Sequence, residues 1–211
     1  QETLSFGSMF IVSCPIDTYS GYGARARDFI KSLVEINKYD VKILSQRWGN
    51  TTRGFIKDNK EEWGFLEKLI VPGLQEKPDY WCQITVPNEF QSVGKYNIGL
   101  TAGIETTNCD IEWIKGCNRM DLILTSSEHS KSTFVNSQFQ NESNKDDIIR
   151  LKKPIEVLFE GGNLDIYKII KKFNNKELYN QIDLIEEDFA YLNVGHWMQG
   201  SFGHDRKNIA F

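Results

Sequence analysis

The feature that most constrains this chain lies near its start, where a short apolar run, a loop of small residues and an amphipathic segment follow one another. The apolar run covers residues 9–14, and the amphipathic segment covers residues 24–37. This order predicts a strand, a loop and a helix whose first turn faces a crevice. An alternating segment at residues 40–45 predicts a second strand, and the complete unit implies a parallel sheet.

Two glycines, Gly21 and Gly23, lie in the loop just before the predicted helix. Backbone N–H groups at a helix start have no partner within the helix and carry partial positive charge. Because glycine lacks a Cβ, a ligand can approach the backbone closely, and the loop is predicted to hold an anion or a sugar. The alternative is that the two glycines only let the chain turn.

Four further strands and several helices are predicted downstream, which indicates an α/β fold with a Rossmann-like parallel sheet and flanking helices. The strands are predicted at residues 80–86, 96–101, 121–125 and 154–159. Helices are predicted at residues 61–69 and 111–117, and a third after Ser126. Two polar segments, residues 46–60 and 138–147, predict loops.

A charged segment that is poor in apolar residues separates two parts of the chain. Residues 168–187 form this predicted linker, residues 1–167 the first domain, and residues 188–211 the start of a second. Residues 189–195 predict the first strand of that second domain. The sequence starts without Met and stops inside a predicted helix, so we expect a piece of a longer protein.

The composition excludes several classes of protein. The net charge is −4, and a nucleic-acid-binding protein would show a basic excess. No apolar run is long enough to span a bilayer, so we predict a cytoplasmic protein without a transmembrane segment and leave peripheral membrane contact open. The four cysteines show no metal-binding spacing and predict buried free thiols, and no metal site is expected.

Polar residues follow three of the predicted strands, where α/β proteins place their ligands. Asn88 and Glu89 follow the third strand, and Ser127 and Glu128 follow the fifth. Glu105 comes among small residues after the fourth strand, which favours a cleft position. The alternative for Glu105 is that it caps the next helix.

The glycine loop also matches the letters Gly-x-Gly-x-x-Ala of a dinucleotide-binding fingerprint, with Arg47 placed to meet a 2′-phosphate. That fingerprint needs its first glycine directly after the strand, whereas residues 15–20 intervene here. The second strand also ends at Ser45 rather than at a ribose-binding acid. We therefore disfavour a dinucleotide site.

Four segments in order resemble the retaining glycosyltransferases of family 4. They are residues 20–25, residues 117–128, residues 157–167, and residues 191–195 leading to residues 206–208. The resemblance implies a GT-B fold, in which two Rossmann-like domains face each other across a cleft. This chain would then be the N-terminal half of that architecture, truncated early in the second domain.

The resemblance also implies roles for individual residues. The donor diphosphate would be bound by Gly21, Tyr22, Gly23, Arg206 and Lys207. The acceptor would be bound by Asn88, Glu89, Thr106, Ser127 and Glu128. Glu105 would be the catalytic group near the acceptor hydroxyl.

The implied activity is transfer of a sugar from a nucleotide-sugar donor to a hydroxyl acceptor with retention, without a metal or other cofactor. The paired glutamates of the family's second domain have no counterpart in residues 1–211, so we expect these residues alone to be inactive. One alternative is a non-catalytic carbohydrate-binding or regulatory half of a GT-B protein. Another is a GT-B enzyme of different activity, such as an epimerase.

Overall fold

The computed structural model describes residues 7–141, 144–170 and 174–192. The chain forms two compact units, Gln1–Gly161 and Gly162–Phe211, and each is described by itself. Among the described residues, no helix has the length and apolar character that a bilayer crossing requires.

The first unit is built on a six-stranded sheet in which every pairing is parallel. Its strands are β1 (Met9–Cys14), β2 (Asp40–Ser45), β3 (Tyr80–Ile84), β4 (Tyr96–Leu100), β5 (Leu122–Thr125) and β8 (Ile155–Val157). Each lies within or matches a segment that the sequence predicts as a strand. The predicted α/β, Rossmann-like class is therefore confirmed.

The strand order is β2-β1-β3-β4-β5-β8. The chain beyond β2 also touches the outer edge of that strand, where Val71 N donates to Ile43 O over 2.9 Å and Ile70 forms a parallel bridge with Ile43. This segment occupies the place of the third strand in the doubly wound order 3-2-1-4-5-6. The order reverses between β1 and β3, and their carboxyl ends border a crevice.

Helices cover both faces of the sheet. They are α1 (Gly21–Ile36), α2 (Phe55–Asp58), α3 (Lys60–Trp63), α4 (Ile111–Cys117) and α5 (Glu128–Asn136), with 3-10 turns at Gly64–Leu69 and Pro87–Glu89. One apolar cluster packs α1 against the sheet, and a second packs α4 and α5 against it. The four cysteines are divided between these clusters as buried free thiols, as predicted.

Helix α1 begins three residues earlier than the sequence predicts. The Ser20 hydroxyl accepts a hydrogen bond from Gly23 N over 2.9 Å and forms the N-cap, so both glycines lie in the first turn. The helix ends at Ile36, and the C-cap Asn37 adopts a left-handed conformation with φ of 52°. The predicted glycine loop is thus partly helical.

The structure corrects two predicted loops. The segment 46–60 contains α2, whose first turn is capped from outside, because the Asp17 carboxylate accepts from Gly54 N and Ile56 N.

The segment 138–147 contributes to an antiparallel hairpin of β6 (Gln138–Asn141) and β7 (Asn144–Arg150). Phe139 and Ile149 pack against the second apolar cluster. This packing stabilises the hairpin, although its mostly polar sequence does not predict strands.

The second unit contains α6 (Lys176–Ile182), with Asn175 as N-cap. This helix lies within the predicted linker. Residues 189–192 are not in a strand, and the rest of the strand predicted at residues 189–195 lies outside the described residues.

Candidate functional site

A cleft of about 470 Å³ lies at the carboxyl ends of β1, β2 and β3. This is the point where the strand order reverses, and open α/β sheets bind ligands there because the loops after neighbouring strands diverge. The cleft is lined by Ser13, Pro15, Leu44, Gln46, Arg47, Trp48, Trp81, Gln83, Ile84, Thr85, Glu89 and Gln91. Residues 46–48 follow β2, and residues 85–91 follow β3 on the other side of β1.

Two indole rings line the cleft. Trp48 is half-buried and stacks on Tyr22 of α1, with ring centroids 4.2 Å apart and planes inclined by 27°. Trp81 lies on β3 and is only 4% exposed. Its Nε1–H is buried and has no acceptor among the residues that the structure describes. The cleft therefore combines one aromatic face with an unused hydrogen-bond donor.

Amide side chains shape the polar part of the cleft. Gln46 Nε2 donates to Ser13 Oγ over 3.1 Å. Gln83 Nε2 donates to Glu89 O over 3.0 Å, while its Oε1 accepts from Gln91 N over 2.8 Å. These bonds hold the loop after β3 against the sheet, so the polar groups are positioned before any ligand arrives.

The cleft lining includes one cation and one carboxylate. The Thr85 hydroxyl donates to Glu89 Oε2, and Arg119 steadies the same turn by donating to Phe90 O over 2.7 Å. Arg47 is exposed and makes no ion pair or hydrogen bond through its side chain to any residue in the described part of the chain. Its guanidinium is available to a ligand.

The three residues predicted to bind the donor phosphate in the first turn of α1 have different surroundings. Gly21 is exposed, and a Cβ built on it would meet nothing within 4 Å. Gly23 is buried, and a Cβ there would lie 2.5 Å from Thr18 O. Only glycine fits this close packing, and the N–H of Gly23 already donates to Ser20 Oγ rather than facing a ligand.

Tyr22 connects the first turn of α1 to the end of β4. Its hydroxyl forms a hydrogen bond of 3.1 Å with Thr101 Oγ1 and accepts from Ala102 N over 3.2 Å. Burial raises the pKa of Tyr22, and the hydrogen bonds oppose that shift. The Tyr22 hydroxyl is thus uncharged at neutral pH, and its ring packs against Trp48 of the cleft lining.

A buried arginine fixes the loop between β1 and α1. Arg27 donates to Ile16 O over 2.9 Å and to Thr18 O over 3.0 Å, and its guanidinium carbon lies 3.4 Å from the centre of the Phe55 ring. Burial lowers the pKa of Arg27. The sequence analysis did not single out Arg27, because the local sequence of a helix does not distinguish a buried arginine from an exposed one.

Of the remaining predicted site residues of the first unit, Thr106 follows β4, Ser127 and Glu128 follow β5, and Asn88 follows β3; all four are outside the cleft lining. Ser127 is the N-cap of α5 and accepts from Ser130 N over 3.2 Å, while Glu128 is exposed in the first turn. Thr106 Oγ1 donates to Asn108 O over 2.6 Å. Asn88 lies on the turn beside Glu89.

Glu105 is exposed, and its carbonyl oxygen lies 3.2 Å from His129 Nε2. The alternative in which it caps the next helix is wrong, because Asp110 is the N-cap of α4 and accepts from Glu112 N over 2.7 Å. The catalytic role of Glu105 stays a prediction.

Arg25 joins two segments that carry the sequence resemblance. It donates to Leu158 O over 2.6 Å and lies 3.8 Å from the Glu160 carboxylate. The start of α1 and the chain after β8 therefore meet at the same edge of the sheet. Arg206 and Lys207 lie outside the described residues.

The strand-end rule that selected Asn88 and Glu89 could also have found Gln46 and Trp48, because both follow β2. It could not have found Gln83 and Thr85, because both lie within the strand predicted at residues 80–86. Trp81 gave no such signal, since an aromatic residue inside a strand usually packs in the core. Among the described residues, no group of three or more His, Cys, Asp or Glu side chains is placed to hold a metal ion.

Comparison of the chain with family models, with curated proteins and with solved structures produced no match.

Proposed function

We propose that residues 1–167 form the acceptor-side domain of a retaining glycosyltransferase with two Rossmann-like domains, and that the cleft of this domain binds the carbohydrate acceptor. The observation that carries the proposal is the cleft itself, in which an aromatic face, amide side chains and a free indole N–H lie at the reversal point of the sheet.

The chemistry of the lining fits a sugar ring. A pyranose presents C–H groups on its face and hydroxyl groups at its rim. The half-buried Trp48 offers a flat apolar surface for the face. Gln46 and Gln91 each carry an amide that both donates and accepts, as a hydroxyl group requires.

The donor in this proposal is a nucleotide sugar, and the reaction uses no metal. Its diphosphate binds near Gly21, where the backbone is open, and the first turn of α1 stabilises the leaving charge. Arg206 and Lys207 stay predicted donor-phosphate ligands. Glu105 acts near the acceptor hydroxyl. The four buried free thiols support a reducing, cytoplasmic location.

The test is a titration of the ¹⁵N-labelled chain with neutral sugars, followed by NMR. We expect backbone amide resonances of residues 46–48 and 83–91 to shift, and the same titration of a Trp48→Ala chain to show binding at least tenfold weaker, a loss of about 1.4 kcal/mol. Shifts confined to other parts of the chain would contradict the assignment of the cleft.

A second candidate is a non-catalytic carbohydrate-binding half, and one observation favours it. The whole cleft is built from residues 13–91 of the first unit, so sugar binding there needs no second domain. Transfer assays on the full-length protein separate the two candidates. Sugar binding without turnover of any nucleotide sugar would favour the binding protein.

A further inference from the structure

We propose that the ligand of this cleft carries a negatively charged oxygen group, a carboxylate or a phosphate, which Arg47 binds while Trp81 donates to a ligand oxygen. The inference rests on the proposed function only in taking the cleft as the sugar site. It adds the chemical class of the ligand, an acidic or phosphorylated sugar.

The first observation is the state of Arg47 compared with other arginines of the first unit. Arg25, Arg27 and Arg119 each donate to backbone carbonyl groups and thereby stabilise the fold. Arg47 lines the cleft, and within the described part of the chain its side chain has no such partner. A guanidinium left unpaired at the rim of a polar cleft suits a carboxylate or phosphate, which it can bind through two parallel hydrogen bonds.

The second observation is the indole N–H of Trp81. An indole donates one hydrogen bond and accepts none, and a buried donor without an acceptor costs free energy. Trp81 is 4% exposed and lines the same cleft. An oxygen of a bound ligand supplies the acceptor that the described residues do not provide.

The third observation concerns Glu89, the carboxylate of the lining. Its side chain accepts from the Thr85 hydroxyl, and Glu89 forms no ion pair with Arg47 in the part of the chain that the structure describes. The loops that carry Arg47 and Glu89 follow β2 and β3, which lie on either side of β1. Two strand spacings amount to about 10 Å, so a ligand can meet Arg47 while staying clear of Glu89.

The experiment compares three probes of similar size by NMR titration of the ¹⁵N-labelled chain: D-glucuronate, D-glucose 6-phosphate and D-glucose. We expect at least one charged probe to bind at least tenfold more tightly than glucose, and the more tightly bound one identifies the group. The Trp81 indole N–H resonance, assigned with a Trp81→Phe chain, should shift with that probe.

Three variants then test the residues. Arg47→Gln should reduce the affinity for the charged probe to within twofold of that for glucose. Arg53→Gln is the matched control, because Arg53 is also exposed but does not line the cleft, and it should leave the affinity unchanged. Glu89→Gln should strengthen binding of the charged probe, since it removes a like charge.

The outcomes separate this inference from the proposed function. If glucose and both charged probes bind with equal affinity, and Arg47→Gln does not change it, the proposal of an anionic ligand is overturned. The proposal that the cleft binds a sugar then still stands. If none of the three probes shifts the NMR resonances of the cleft residues, both the anionic ligand and the sugar site are overturned. An equal loss of affinity for the charged probe in the Arg47→Gln and Arg53→Gln chains would show that the probe is attracted by the overall charge of the protein. That result would also overturn the role of Arg47.

Discussion

The indole ring of Trp48 stacks on the phenol ring of Tyr22, with centroids 4.2 Å apart, and so joins the loop after β2 to the first turn of α1. Tyr22 is in turn held at the end of β4 through Thr101 and Ala102. Tyr22 therefore connects three segments that are distant in the sequence. The same stacking contact places the Trp48 ring as an aromatic wall of the cleft.

Replacing Trp48 with alanine should lower stability by about 1 kcal/mol, because the ring pair is lost. It should also weaken sugar binding. Trp48→Phe keeps a stacking ring and should retain most of both properties. Urea unfolding and sugar titration measure the two effects, and an alanine chain that binds sugar normally would contradict the role of this wall.

The two glycines of α1 should respond differently to alanine. Gly23→Ala places a Cβ against Thr18 O and Pro15 O, which are backbone atoms, and should cost about 1 to 3 kcal/mol. Gly21→Ala meets open space and should change stability by less than about 0.5 kcal/mol.

Thermal and urea unfolding of both chains check this pair. Because the folded Gly21→Ala chain keeps its structure, it also tests the donor site in the full-length protein. Weaker binding of the nucleotide sugar would support a phosphate contact at Gly21. Unchanged binding would count against that contact.

Arg27→Met should destabilise the first unit by about 2 to 4 kcal/mol. The methionine fills part of the space but leaves Ile16 O and Thr18 O without their donor and removes the charge above Phe55. Arg53→Met changes an exposed arginine and should change the free energy of unfolding by less than about 0.5 kcal/mol. Equal effects of the two changes in urea unfolding would show that the Arg27 contacts contribute little.

Glu105→Gln should leave stability nearly unchanged, because Glu105 is exposed and does not cap α4. In the full-length protein it should greatly reduce glycosyl transfer. Asp110→Ala is the matched change, since it removes the actual N-cap and should cost about 1 kcal/mol. Normal turnover by the Glu105→Gln protein would exclude Glu105 from the reaction.

The cysteines should be unreactive toward a thiol reagent at pH 8 in the folded chain and fully reactive in urea. All four are buried, and burial raises the pKa of Cys117 to about 12 and those of Cys14 and Cys82 well above the usual range. Only the thiolate reacts. Rapid reaction of any cysteine in the folded chain would contradict its burial.

The same pKa shifts predict a fall in stability at high pH. Between about pH 9 and 12 the unfolded chain releases the Cys117 proton while the folded chain keeps it, so the free energy of unfolding decreases as the pH rises. Cys117→Ala should reduce this decrease. Urea unfolding at pH 8 and pH 10 provides the comparison.

Some features of the fold follow from local sequence alone. The apolar runs at β1 and β5 and the alternation in β2 predict their strands, because burial on a sheet imposes its period on the side chains. Ser127 predicts the start of α5, since its hydroxyl satisfies an N–H of the first turn. Such features depend on neighbours within a few residues.

Other features needed the tertiary structure. Helix α2 forms in a polar segment because the Asp17 carboxylate, far away in sequence, caps its first turn. The cleft exists because the strand order brings Arg47, Trp81 and Glu89 to one edge of the sheet. The sequence by itself determined the six strands of the parallel sheet, the buried thiols and the α/β class, since these depend on local period and hydrophobicity, but it missed β6 and β7. Only the tertiary structure decided which strand ends share a cleft, because that depends on the order in which the strands pair.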